Sequence, residues 1–205
     1  MSVTITNSKV NYGPSIVTDG LVLYLDAANS QSYPGTGLNW YDLSENENTF
    51  TLDGTGIVYN NEVFDLTDGG ATGVYDITSS NTCTVVYWIK TTDTQALFLG
   101  AQDDEYYLGA FQPTNKEYHN NCGIPDFYMD TINTANIYDY IRDGLWHMLE
   151  FKNVDLSNWT QIQFNQYSNF TFGNGSISCI KIYDKNLSSN ESLQNFNSQK
   201  SRFGL

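Results

Sequence analysis

The sequence predicts an all-β fold, an antiparallel two-sheet sandwich closed by one short C-terminal helix. Three observations predict it. Short strand-like segments recur along the chain with no long helical periodicity between them. Turn dipeptides punctuate these segments, Asp-Gly at 53–54, 68–69 and 143–144 and Asn-Gly at 174–175. At the C-terminus, strand periodicity gives way abruptly to a capped helix.

The strand segments are apolar, β-branched and aromatic runs bounded by turn residues. In order they are Leu21–Asp26, Phe50–Leu52, Gly56–Tyr59, Val63–Leu66, Gly73–Ile77, Thr82–Lys90 and Ala96–Gly100. Tyr106–Phe111, Leu145–Lys152, Thr160–Phe164 and Ser176–Tyr183 follow. In the last of these, Ile177, Cys179 and Lys181 alternate with Ser178, Ile180 and Ile182, so both faces carry apolar residues, as a strand inside a sandwich requires. Ser188 and Glu191 then form a capping-box pair that starts a helix over Ser189–Gln199, with Leu193 and Phe196 as its apolar side. The stretch Gln112–Tyr140, rich in Asn, Tyr and Asp, reads as an elaborated loop at one rim. Residues 1–12 precede the sandwich as an N-terminal arm, in which Val3, Ile5 and Val10 alternate with polar residues and could add a strand to a neighbour's sheet. Residues 13–205 form one domain, a size that all-β sandwiches reach as a single unit.

The two ends carry a resemblance. Gly13-Pro14-Ser15 through Asp19-Gly20-Leu21-Val22-Leu23-Tyr24-Leu25-Asp26-Ala27-Ala28-Asn29, with Trp40-Tyr41-Asp42-Leu43-Ser44, resembles the opening of laminin-G-like, concanavalin-A-like jelly-roll domains in tailed-phage virion proteins, notably those of marine phages. Ile182-Tyr183-Asp184 with Leu187-Ser188 and Glu191, and the ending Lys200-Ser201-Arg202-Phe203-Gly204-Leu205, resemble the close of the same domains. The sequence departs from the family at residues 44–48, Ser-Glu-Asn-Glu-Asn, and at Phe64-Asp65-Leu66, where a glycine usually follows the aspartate. The resemblance implies a jelly roll, a non-enzymatic virion protein of capsid, tail, fibre or appendage, and work through contacts with other virion proteins and copies of itself. It also implies synthesis in the host bacterial cytoplasm. The alternative is a glycan-binding adhesion module displayed on the virion and directed at a host-surface glycan.

Charge narrows the partners. With 9 basic and 23 acidic residues the formal net charge is −14, which argues against nucleic acid and against anionic membrane surfaces. No apolar run approaches membrane-spanning length. Cys83, Cys122 and Cys179 are odd in number and lack paired spacing, so all three are expected as free thiols.

Catalytic patterns were sought and not found. Glycan hydrolases of concanavalin-A-like fold place carboxylates on one strand face as Glu-x-Asp-x-x-Glu, and no glutamate here falls in that pattern. The expectation is therefore no enzymatic activity. His147 reads as a packed strand residue, and His119 with Cys122 lacks further ligands for a metal or nucleophile site. No cofactor is expected, with calcium as the exception that the resemblance admits: Asp65, Asp76, Asp103 and Asp104 are candidates by carboxylate chemistry. For a sugar, the aromatic and amide residues Tyr106, Tyr107, Tyr118, Asn120, Asn121 and Tyr128 are the candidate surface. The same rings serve equally as loop packing or interface. Phe203 has no obvious place on the helix and is grouped with the arm as a candidate interface residue.

Overall fold

The structure is a computed structural model that describes residues 15–74, 80–93, 95–100, 107–111, 122–134, 141–159, 161–167, 170–171 and 173–205. Val3, Ile5 and Val10 of the arm lie outside the described residues.

The fold is an antiparallel two-sheet jelly-roll sandwich with a short C-terminal helix. Fourteen strands are described: β1 (Leu21–Asp26), β2 (Asn39–Tyr41), β3 (Thr49–Asn60), β4 (Val63–Val74), β5 (Cys83–Thr91), β6 (Gln95–Gly100) and β7 (Tyr107–Phe111). After them come β8 (Gly123–Met129), β9 (Ile132–Asn133), β10 (His147–Val154), β11 (Gln161–Phe164), β12 (Gln166–Tyr167), β13 (Phe170–Thr171) and β14 (Gly175–Tyr183). One layer runs β14–β5–β10–β8–β9, with β1 and the first half of β4 on the other edge of β14. The second runs β2–β3–β4–β11–β6–β7. The long β3–β4 hairpin joins them: Phe64–Leu66 pairs with β14, whereas Ala71–Val74 pairs with β11.

Here the structure corrects the sequence reading. Gly56–Tyr59 continues the strand that begins before Phe50, and Val63–Leu66 continues through Val74. Asp53-Gly54 and Asp68-Gly69 are not turns but lie within the strands, where the ladder is irregular between Asp53 and Gly56. The actual turn is Asn61-Glu62, both with positive φ (47° and 77°), the primed geometry that suits the twist of a two-residue hairpin. Gln112–Tyr140 is also not loop throughout. Gly123–Met129 pairs with β10, and a second turn of positive φ at Asp130-Thr131 leads into β9.

The main core lies between the layers. Leu25, Tyr87, Phe151, Ile180 and Ile182 meet Trp40, Phe50, Phe64, Ile162 and Phe164 there, all essentially buried. A register shift between Ile177 and Cys179 changes the parity of β14, so Ile177, Ile180 and Ile182 all enter this core. Cys179 and Tyr183 face outward. That outer face is covered too: Val86, Trp88, Met148, Cys179 and Tyr183 pack with Leu187, Phe196 and Phe203 of the C-terminal segment.

Helix α1 (Ser189–Gln199) holds this cover in place. Its start is the expected capping box: the Glu191 amide donates to Ser188 Oγ, and the Ser188 amide to Glu191 Oε2 at 2.7 Å. Under it are buried charges that periodicity did not reveal. Lys152 Nζ donates to the Leu187 carbonyl and to Ser192 Oγ, and Lys181 Nζ to Gln199 Oε1. Glu150 is buried on the same face, and burial pushes its carboxyl up. Beyond α1, a 3-10 turn over Lys200–Phe203 returns the tail to the sheet.

Candidate functional site

The side chains that converge on one concave surface come from the tail and from strand ends beside it. The chain after α1 is fixed by Arg202, whose guanidinium grips Asp26 at the end of β1: Nη1 to Oδ2 is 3.0 Å and Nη2 to Oδ1 is 2.9 Å. Nη2 also donates to Ser178 Oγ on β14. Asp26 is 4% exposed and further accepts the Tyr24 hydroxyl at 2.7 Å and the Ala28 amide at 3.0 Å. A planar donor fork on a paired carboxylate fixes direction as well as distance.

That grip sets Phe203. Its ring stacks on the buried Trp88 indole with centroids 4.2 Å apart and planes at 18°. Phe196 stacks on Trp88 as well, at 5.7 Å and 17°. Next to Phe203 lies Trp146, 4.9 Å away and tilted by 42°. A file of rings, Phe196–Trp88–Phe203–Trp146, thus runs from beneath the helix to a half-buried indole at the surface. The Asp143-Gly144 turn aims Trp146 there, and His147, which begins β10, is clamped below. His147 Nδ1 is 2.7 Å from Asp130 Oδ2 and Nε2 is 3.2 Å from Asp143 Oδ1. The Asp130 hydrogen bond, reinforced by both carboxylates, raises the imidazole's pKa against the effect of burial.

Trp146 and Phe203 form the apolar side of a cleft of about 360 Å³. Its other walls are mostly polar: Asn60, Asn61 and Glu62 from the β3–β4 turn, then Asp65, Lys90, Ser176 and Arg202, with Val63 among them. Asp65 accepts from Ser176 Oγ at 2.6 Å and from Asn60 Nδ2 at 3.1 Å, which leaves carboxylate lone pairs for a ligand. Lys90 Nζ stands 5.6 Å from the Trp146 ring centre. Among the described residues it forms no ion pair. The cleft therefore offers an aromatic surface, amide groups, a donor-only ammonium and acceptor-only carboxylates within one volume.

The residues expected from sequence fare unevenly. Asp65 is in the cleft, but as a hydrogen-bonding wall; among the described residues no group of three or more His, Cys, Asp or Glu is placed to hold a metal. Asp76, Asp103 and Asp104 lie outside the described residues, as do Tyr106, Tyr118, Asn120 and Asn121. Tyr107 opens β7. Tyr128 sits on β8 with Lys152 Nζ 4.4 Å from its ring centre, away from the cleft walls. Phe203, expected at an interface, is half-buried: its ring stacks on Trp88 of its own domain and also lines the cleft. Trp146, Lys90 and Arg202 were not singled out as ligand residues.

No protein-family model matches the chain, and no curated protein matches it. Solved structures do. A Trypanosoma rangeli sialidase in complex with the inhibitor DANA matches with a TM-score of 0.56 and 14% identity, over 91% of this chain and 34% of the sialidase. The same sialidase as a covalent intermediate with 2,3-difluorosialic acid matches at 0.55 and 13%. The binding domain of botulinum neurotoxin serotype D matches at 0.56 and 12%, over 89% of this chain and 53% of that one. At this identity the likeness is one of fold, and the chain spans a third to a half of these structures.

The sialidases overturn one expectation. Enzymatic activity was excluded because no paired carboxylates of the Glu-x-Asp-x-x-Glu kind are present. Sialidases, with a tyrosine nucleophile, are exceptions to that two-carboxylate scheme. Enzymes of this kind are among the structures that contain a part of like fold, over about a third of their length. The missing motif excludes one mechanism and not catalysis as such, and the expectation of a non-enzyme is withdrawn.

Proposed function

We propose that this chain is a glycan-binding jelly-roll module, with Trp146 as the platform on which a sugar ring stacks. The observation that carries the reading is a half-buried indole, backed by Phe203 over Trp88, forming one wall of a polar cleft. A sugar ring presents an apolar C–H face and a rim of hydroxyls. It fits a site with an aromatic surface and a few convergent polar groups. The volume falls within the roughly 300–1,000 Å³ of small-molecule sites. A sialidase solved with sialic acid contains a part of like fold, over 33% of its chain. Within this reading, the resemblance of the chain ends to tailed-phage virion domains supplies a setting, an adhesion module on a particle surface.

The test is retention on an array of immobilised glycans, for the wild type and for Trp146→Ala. The indole is only half-buried, so the variant is expected to fold with a little-changed Tm and to lose binding at least tenfold. Wild-type protein that retains no glycan, or full retention by Trp146→Ala, overturns the proposal.

A further inference from the structure

The cleft at Trp146 does not end at Lys90. On the other side of Lys90 and Ser176 lies a second hollow of about 200 Å³, formed by Thr91, Thr92, Gly144, Asn174 and Gly175. Lys90 and Ser176 line both volumes, so the two hollows lie side by side at the ends of β5 and β14. The floor at the junction is backbone. Gly175 is required there because a Cβ on it would stand 2.8 Å from the Lys90 carbonyl oxygen. The far wall is braced: the Asn174 amide and Nδ2 both donate to Asp93 Oδ2, at 2.8 and 3.1 Å, and Thr91 Oγ1 donates to the Asn174 carbonyl.

Resting on the glycan-binding reading above, we infer that the ligand is a neutral oligosaccharide chain that spans both hollows, with one unit on Trp146 and the next units across Lys90. Two observations select this ligand. The first is length, since a single sugar seated on Trp146 leaves the second hollow unfilled. The second is charge. Lys90 and Arg202 are matched in the groove by Glu62 and Asp65, and Arg202 is already bound by Asp26. A polyanionic glycan would also have to approach a chain of net charge −14, which disfavours its association. A neutral hydroxyl both donates and accepts, so neighbouring hydroxyls on one chain satisfy the Lys90 ammonium and the Glu62 and Asp65 carboxylates together.

The experiment is titration of the whole chain with glycans identified on an array that carries neutral and acidic series, from monosaccharides to hexasaccharides. Affinity is expected to rise roughly tenfold or more between the monosaccharide and the tetrasaccharide of a neutral series, from the added hydrogen bonds. It should change little between low and high salt. Thr92→Arg places a long side chain in the second hollow from an exposed position. It should remove most of the gain with length and leave the shortest binding ligand unaffected. Binding of neutral glycans with no dependence on length, or with no effect of Thr92→Arg, refutes the two-hollow inference while the glycan reading stands. Preference for acidic glycans that is lost in salt refutes the neutral ligand. Failure of every glycan to bind refutes both readings.

Discussion

The grip of Arg202 on Asp26 is the point at which folding and the site depend on the same bonds, and it can be broken by one substitution. Arg202→Ala removes two of the four hydrogen bonds that the Asp26 carboxylate accepts and deletes the facing positive charge. Truncating one partner of a buried ion pair costs about 3–5 kcal/mol, because the other charge is left behind. Here the arginine side chain keeps 23% of its exposure, and Tyr24 and Ala28 continue to hold Asp26. The cost therefore falls just below that range, at about 2–3 kcal/mol. For a domain of this size each kcal/mol moves Tm by about 2–4 °C, so the expected drop is roughly 5–10 °C.

Thermal unfolding followed by near-UV circular dichroism measures the drop. A double-mutant cycle with Asp26→Asn separates the pair from the rest. If the two side chains act on each other, the double variant should lose clearly less than the sum of the single losses. The tail should loosen as well, and glycan affinity should fall, because Phe203 would no longer be pressed between Trp88 and Trp146. A drop under about 1 °C refutes the clamp. So do single-variant losses that simply add.

Two further predictions follow from the other groups. His147 has a raised folded-state pKa, so its contribution to stability is present in full below the unfolded value of about 6.5 and lost as pH rises through the folded value. The Tm difference between wild type and His147→Gln should therefore shrink from pH 6 upward, and a difference independent of pH contradicts the charged clamp to Asp130 and Asp143. None of the three buried cysteines is in a disulfide, and burial pushes the Cys83 thiol up to about 11. Mass measurement after brief alkylation should find no label on the folded protein and three labels after unfolding without reductant; immediate labelling, or a disulfide, contradicts it.

Where the fold was legible in the sequence, short-range chemistry decides the structure. The capping box at Ser188 and Glu191 fixes where α1 begins, and helix and sequence expectation coincide at Ser189–Gln199. Leu21–Asp26 and Ala96 to Gly100 likewise emerge as strands with little change. Where the reading failed, long-range pairing overrode local signals. Asp53-Gly54 and Asp68-Gly69 are good turn dipeptides, yet they face each other's strands where the hairpin crosses from one layer to the other. The glycine there serves a bend inside a strand, and the reversal falls to Asn61-Glu62, which has no glycine. β8 was hidden for a related reason. Pro125 cannot donate to a ladder, and it falls where the pairing of β8 with β10 shifts register, between Gly123 and Asp126.

The site was less legible than the fold because no short stretch of sequence contains it. Its walls come from residues 60–65, 90, 146, 176 and 202–203, brought together by the register of β14 on β5 and β4 and by the return of the tail. Asp65 and Phe203 had each attracted notice, one for calcium and one for a subunit interface. Neither assignment used the other residue. The signal that could have joined them lies at the C-terminus, where Arg202 and Phe203 follow a helix that buries Ser192, Asn195 and Gln199 and leaves Leu193 exposed. In the structure that arginine is half-buried and finds its counter-charge at the acidic end of β1, Asp26. Once that pair is drawn, Phe203 must lie over the outer face of the central sheet beside the Asp-Gly-Leu-Trp-His turn. Trp146 is then the ring left with a face toward solvent. The groove thus depends on the same ion pair that holds the tail, and a chain that loses Arg202 should lose its ligand before it loses its fold.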